Sequence, residues 1–390
     1  MKPSGRTRLC LLVPGHDLSD GSGLARYLCS LAEALGNHAD VTLVFRRLLA
    51  PAPTDGFAVD ALETRHPGGA PGFWDFASSP RALGRFAQER LHGFDVVLEA
   101  TWLQTGKVTA WCAQRGIPAI PIVDRLPLGG WLDSIVTPGE WPALRASGRI
   151  LRHAPYVIAG SEALRLEIVR RWRVPAERVE VIERGVERRR FEPREQAESR
   201  ARLGIGLDQR MLLYGGPLDD AHDLTPLLDA AARAGDRDLR IHVLGDGPAR
   251  GRVEQAVEAG APVALHSRVP GVAVPEFVAA ADLCVTVEDP RFLNDGLEWG
   301  GAVSVAECLS AGRPVAVGVR ARGEALVRHR VSGFHVEHDV LPWIRFLQRE
   351  CPSRNTLRIM GKAASATPLP PVEATAAAYL ALCERVRRAA

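Results

Sequence analysis

Short runs of β-branched and apolar residues, closed by Gly, Pro or Asp and followed by longer helical patterns, recur in two successive series along the chain. Alternation of this kind builds βα units around a mainly parallel sheet and leaves few other fold classes open. The first series is Arg8–Val13, Val41–Phe45, Asp95–Glu99, Ala119–Val123, Tyr156–Ala159 and Val179–Ile182. The second is Met211–Tyr214, Leu239–Leu244, Val263–Leu265, Leu283–Val287, Pro314–Val319 and Phe334–Val336. After the first run, Leu24, Leu28, Leu31 and Leu35 repeat at helical spacing, and Gly36 is expected as the C′ residue that ends this helix.

At 390 residues the chain exceeds what one hydrophobic core usually holds, so two α/β domains are expected. The boundaries read as a Rossmann-like N-terminal domain over 1–187, a second Rossmann-like domain over 188–370, and a C-terminal helix over 371–390 placed back on the first domain. Glu187–Arg202 is read as the linker and first helix of the second domain, and the Ala/Pro-rich Ala363–Ala377 as a linker to the last helix. Two doubly wound sheets in tandem turn their strand C-terminal edges, where ligands bind in such folds, toward a central cleft.

No stretch reaches the roughly 18 to 20 apolar residues a membrane span needs, and the first residues lack a signal-peptide pattern. The expected location is therefore cytoplasmic, with peripheral contact at the inner membrane face left open. Seven cysteines, scattered and never in C-x-x-C spacing, read as reduced thiols and not as a disulfide framework or a zinc site. A net charge of +3 excludes a whole-surface nucleic-acid footprint, and no nucleic-acid partner is expected. Up to Arg190 there are 25 basic and 20 acidic residues, with local density at Arg165, Arg170, Arg171 and Arg173. Such a patch suits either an anionic lipid or acceptor, or a solvated arginine-rich helix face.

Three segments are candidates for chemistry. Pro14–Gly23 leaves the first strand with three glycines and carries His16 and Asp17; it reads as a loop over phosphate or acceptor, or as a turn needing glycine for geometry alone. Gly245-Asp246-Gly247-Pro248 forms a strand-to-helix turn. The run Asn294–Gly301 leads into a helix read as Ala302–Ala311, where Gly300 and Gly301 would offer free amides to a diphosphate. Glu307 sits in that apolar helix, where a bare carboxylate is costly, so it requires either a protein donor or a ligand hydroxyl. Phe73, Trp74 and Phe76 form an aromatic cluster that either lines an acceptor or lipid contact or folds over the core.

The ordered motifs Gly23-Leu24-Ala25-Arg26-Tyr27, Val157-Ile158-Ala159-Gly160-Ser161, Leu244-Gly245-Asp246-Gly247-Pro248, Ala281-Asp282-Leu283 and Glu307-Cys308-Leu309-Ser310-Ala311-Gly312 resemble the family 4 retaining glycosyltransferases of the GT-B fold. That resemblance implies a UDP- or GDP-sugar donor on the C-terminal domain and an acceptor facing the N-terminal one. It implies no bound cofactor and no metal. Asp236-Arg237-Asp238 precedes a strand, so it is not read as a metal motif. Donor contacts are expected from Gly215, Gly216, His222, Gly245, Asp246, Gly247, Gly300 and Gly301, with Glu307 on the nucleotide ribose and Glu298 on the donor sugar. Asp124, where the family often has histidine, orients an acceptor hydroxyl or the transferred sugar, or else caps its own turn; His16 is a further catalytic candidate.

The chain departs from the family at the diphosphate clamp. The usual Arg and Lys are replaced by Pro217 and His222, and the first glutamate of the usual pair by Trp299, with Glu298 one residue earlier. Arg320 and Arg322 are candidates for restoring the lost charge. The reading is a glycosyltransferase acting on a carbohydrate, lipid-linked or small-molecule acceptor; the alternative is a catalytically degenerate GT-B protein serving as a nucleotide-binding or partner subunit. The donor sugar, the acceptor and the oligomeric state are not legible.

Overall fold

Strands buried on both faces dictate how this chain is arranged, because each needs helices above and below it. The computed structural model describes residues 6–18, 23–51, 56–62, 82–100, 107–123, 148–267, 269–289, 304–319, 321 and 323–389. The chain divides into two compact units, one of Met1–Ser19, Tyr27–Gly185 and Val372–Ala390, the other of Asp20–Arg26 and Val186–Pro371.

In the first unit, β1 (Arg8–Val13), β2 (Asp40–Phe45), β3 (Ala58–Ala61), β4 (Val96–Ala100), β5 (Ala119–Val123), β6 (Val157–Ala159) and β7 (Val179–Val181) form one parallel sheet in the order β3-β2-β1-β4-β5-β6-β7. The strand β3 is absent from the expected set. It lies at the sheet edge, half-exposed, and its sequence Ala-Val-Asp-Ala carries too little apolar signal to stand out from a loop. The predicted helix runs Gly23–Gly36, but Gly36 does not adopt a positive φ. A Cβ there would run into the Gly56 carbonyl, so close approach of two backbones explains this glycine instead of a C′ turn.

The second unit holds β8 (Arg210–Gly215), β9 (Leu239–Leu244), β10 (Val263–His266), β11 (Leu283–Thr286), β12 (Val315–Gly318) and β13 (Gly333–Val336), all parallel in the order β10-β9-β8-β11-β12-β13. Each sheet therefore has the doubly wound order in which strand direction of growth reverses beside its first strand. In the second unit that reversal lies between β8 and β11.

At the opposite, N-terminal edge of this second sheet sits a buried ion pair. The Arg200 guanidinium, fully buried, donates to Asp282 Oδ2 at 2.8 Å and to the carbonyls of Ala280, Gly206, Leu207 and Gln209. Asp282 also accepts from the Met211 amide at 2.8 Å, from Gln196 and from Arg354. It thereby ties the Gln196–Leu203 helix to the starts of β8 and β11.

The C-terminal region is helical, as its pattern suggests, but the linker is shorter than expected. The Arg354–Ser365 helix takes in Ala363 and Ala364, and Val372–Ala389 is already helix, leaving 366–371 between them. The Val372–Ala389 helix belongs to the first unit, where Thr375 Oγ1 donates to the Glu183 carbonyl and accepts from the Gly185 amide, both at 2.9 Å. All seven cysteines are free and five are buried.

Candidate functional site

Two turns leave the C-terminal edge of the second sheet side by side, one after β8 and one after β9. The Gly216 amide donates to the Leu244 carbonyl at 2.9 Å, Leu218 to Asp246 at 3.1 Å, and Ala249 back to Leu218 at 2.8 Å. Because the backbones stack this closely, side chains are excluded. A Cβ on Gly245 would strike the Gly216 carbonyl, and one on Gly247, held at φ 152°, would strike that of Leu218. Packing of one turn on the other thus accounts for these glycines, while Asp246 turns its carboxylate onto the Gly247 amide at 2.9 Å. Tyr214 completes the corner by donating its hydroxyl to the Pro217 carbonyl at 2.7 Å.

His222 follows in a short 3-10 turn, Asp220–His222, capped by Asp219. Its Nδ1 lies 2.8 Å from Asp219 Oδ1 and its Nε2 lies 3.9 Å from Glu288 Oε1, just beyond β11. The Asp289 amide donates to the Ala221 carbonyl at 2.9 Å, fixing the two segments across the β8–β11 reversal. Burial alone would raise the Asp219 carboxyl, but hydrogen bonds and charge from His222 more than offset it and hold the group below its ordinary value. The place where the resemblance implies a clamp lysine, and the sequence has His222 instead, therefore holds an imidazole flanked by two carboxylates.

Glu307 has protein partners on two sides. The helix opens after Ser304, not at Ala302, as Val305–Ser310, because Ser304 and Glu307 form a reciprocal capping box. Ser304 Oγ accepts from the Glu307 amide at 3.2 Å, and the Ser304 amide donates to Glu307 Oε2 at 2.8 Å. Arg26 Nη2 donates to both carboxylate oxygens, at 2.9 and 3.1 Å, and the two side chains are only 6% and 8% exposed. A carboxylate has about four lone-pair positions. Ser304 and Arg26 occupy one on Oε1 and two on Oε2, so Oε1 retains an acceptor position among the described residues.

In the first unit, His16 and Asp17 follow β1 beside the end of β2. Asp17 receives two bonds from Arg46, at 2.7 and 2.6 Å, and further bonds from Arg47, the shortest at 2.6 Å. Burial opposes ionisation of Asp17, yet the two guanidiniums keep its carboxyl below the ordinary value. Burial, reinforced by the Arg46 charge, lowers His16 to about 4, so its ring is neutral near pH 7 and a poor general base there.

The expected residues Asp124, Glu298, Gly300, Gly301, Arg320 and Arg322 lie outside the described residues, as do Trp299, Phe73, Trp74 and Phe76. Of the remainder, Gly215, Gly216, His222, Gly245, Asp246 and Gly247 gather at one edge of the second sheet. Two contributors escaped the sequence reading. Ser304 was legible as S-x-x-E, whereas Arg26, though within the motif Gly23–Tyr27, stands 281 positions from its partner and nothing local ties it to Glu307. Among the described residues no group of three or more His, Cys, Asp or Glu side chains is arranged to hold a metal ion, and no helix is long and apolar enough to cross a membrane.

Comparison with known proteins matches a glycosyltransferase family 4 model over residues 21–190 and a glycosyl transferases group 1 model over residues 209–347. A D-inositol 3-phosphate glycosyltransferase of Catenulispora acidiphila is 28% identical, the alignment covering 84% of this chain and 82% of the relative. The solved sucrose-phosphate synthase of Thermosynechococcus elongatus superposes with a TM-score of 0.79 at 20% identity, over 99% of this chain and 100% of that one. Anabaena HepE, solved with UDP and glucose, gives 0.71 at 16% identity over 97% and 99% of the two chains. These neighbours are GT-B glycosyltransferases, and the two Rossmann-like sheets share their fold.

Proposed function

Because this chain belongs to the family 4 glycosyltransferases, we propose that it transfers a sugar, with retention of anomeric configuration, from a UDP- or GDP-sugar to a hydroxyl of a carbohydrate, lipid-linked or small-molecule acceptor. The second unit takes the donor and the first addresses the acceptor. The observation that carries this reading is Glu307: a buried carboxylate at the strand C-terminal edge, held on two sides by protein donors, with Oε1 still able to accept from a ribose hydroxyl. The tight turns at Gly215–Gly216 and Gly245–Gly247 bring backbone, free of side chains, to the same edge for the diphosphate.

The chemistry asked of the protein is electrostatic. As the glycosidic bond to the nucleotide breaks, negative charge grows on the diphosphate, and each preorganised donor aimed at it is worth on the order of a hundredfold in rate. His222 stands where the family carries lysine, but its Nδ1 is committed to Asp219 at 2.8 Å; Arg320 and Arg322 are therefore proposed as the cations that supply the clamp's charge. Glu298 is assigned to the donor sugar, and Asp124 and His16 to the acceptor side. His16, neutral near pH 7, would act there by hydrogen bonding and not as a charged group. Similarity to enzymes along most of the chain favours turnover over the partner-subunit alternative.

UDP in the HepE structure and the relative's name make UDP-sugars and D-inositol 3-phosphate the first donor and acceptor to try. Incubation with UDP-, GDP-, ADP- and dTDP-sugars is expected to release nucleotide from at least one donor, with the product keeping the donor's anomeric configuration by NMR. Silence across the panel with no nucleotide binding would defeat the enzymatic reading. An inverted product would defeat retention alone.

A further inference from the structure

We propose that Arg26 is a positioning residue for the donor site, holding the Glu307 carboxylate in the orientation that leaves its Oε1 acceptor position open to a nucleotide hydroxyl. The inference rests on the donor reading of Glu307 given above and extends it to a residue 281 positions away.

The contact geometry supports a steering role. Arg26 Nη2 bridges both carboxylate oxygens, at 2.9 and 3.1 Å, while the Ser304 amide fixes Oε2 from the other side at 2.8 Å. Rotating the carboxylate about its last side-chain bond breaks one of these contacts, so the pair of donors selects one orientation. Both side chains are nearly buried, where solvent screens the ion pair little. The Arg26 guanidinium carbon also lies 5.4 Å from the centre of the Phe191 ring, within the range of a cation–π contact, which anchors the arginine itself. With Arg26 removed, Glu307 keeps its cap but loses the charge that justifies burying a carboxylate. The side chain is then free to turn toward water and away from a nucleotide hydroxyl.

Arg26→Met, Arg26→Lys, Glu307→Gln and the Arg26→Met/Glu307→Gln double variant are compared for UDP and GDP binding by calorimetry, for donor and acceptor KM, and for Tm. Arg26→Met should weaken nucleoside diphosphate binding roughly ten- to a hundredfold, the range of a lost charged hydrogen bond. Its donor KM should rise while the acceptor KM stays unchanged. Arg26→Lys, whose single nitrogen can still bridge two oxygens, should recover most of the loss. The double variant should bind no more weakly than Glu307→Gln, because both changes disable the same acceptor. A folded Arg26→Met that binds UDP and GDP as wild type does, or a double variant whose losses add, overturns the inference and leaves the function standing. Should Arg26→Met not fold, Arg26→Gln, which keeps a polar donor without the charge, decides: a raised donor KM at unchanged acceptor KM and Tm supports positioning, and an unchanged donor KM, or equal shifts in donor KM, acceptor KM and Tm, contradicts it. A wild-type protein that binds neither nucleotide removes the donor reading and this inference together.

Discussion

Two buried arginine–carboxylate pairs stand at opposite ends of the second sheet, and they are built differently. Arg200 donates to four backbone carbonyls besides Asp282, and Asp282 accepts from a backbone amide and two further side chains. Apart from the bond from Arg354, at the start of the Arg354–Ser365 helix, every bond stays within the Gln196–Leu203 helix, the strand starts and the segments beside them. Arg26 and Glu307 instead meet at the C-terminal edge, where the described donors leave an acceptor position on Oε1. A saturated pair fastens elements together, whereas a pair with spare acceptor capacity can address a ligand. Burying a charge pair costs several kcal/mol of desolvation in either case, so each needs its own compensation.

The largest expected effect comes from breaking the saturated pair. Arg200→Ala leaves Asp282 with only the part-exposed Arg354 as countercharge, deprives four carbonyls of their donor, and should cost about 3 to 5 kcal/mol in urea denaturation. Any molecules that remain folded should bind nucleotide as wild type does. A loss of nucleotide affinity without loss of stability would erase the distinction between the two ends.

Acid should act next most strongly, and on the Arg200 end. His242 is buried and lies between His266 and Gln209; burial first, then the positive charges of His266, Arg240 and Arg200, lowers it to about 4. Below pH 6.5 the unfolded imidazole takes a proton that the folded one refuses until about pH 4. This contribution is therefore intact above pH 6.5 and falls away down to pH 4, by on the order of 3 kcal/mol. The stability of His242→Gln, measured over the same range, should decline less steeply than that of wild type. Parallel slopes would show that another group carries the acid sensitivity.

The smallest effect probes the Glu307 end through its cap. Ser304→Ala removes the side-chain bond to the Glu307 amide and should cost about 1 kcal/mol of stability. It leaves the bond from the Ser304 amide to Oε2 in place, so nucleotide affinity should drop only a few-fold, well short of the Arg26→Met loss. An equal drop for both would place the steering in the cap and not in the arginine.

How much of this was readable depends on whether the cause is local. Apolar runs such as Met211–Tyr214 announced their strands because burial on both faces demands uninterrupted apolar residues. The half-exposed edge strand Ala58–Ala61 gave no such signal. Gly36 was recognisable as punctuation but not its reason, which lies in a backbone 20 residues away at Gly56. The turn after β9 was legible as a turn, whereas the need for Gly245 and Gly247 arises from the neighbouring turn at Gly216–Leu218. Glu307 could be flagged as a carboxylate needing a partner, and Ser304 three residues before it was the readable half of the answer. Arg26 was not, since no periodicity or spacing links positions so distant in the chain.

The central claim, that Glu307 serves a nucleotide, is tested most directly by titrating UDP and GDP into wild type and Glu307→Gln at matched stability. Glutamine keeps the size and removes the charge, so the account predicts nucleotide binding by wild type and a loss of roughly tenfold or more in the variant. Equal affinity in the two proteins would show that Glu307 only closes its helix and pairs with Arg26.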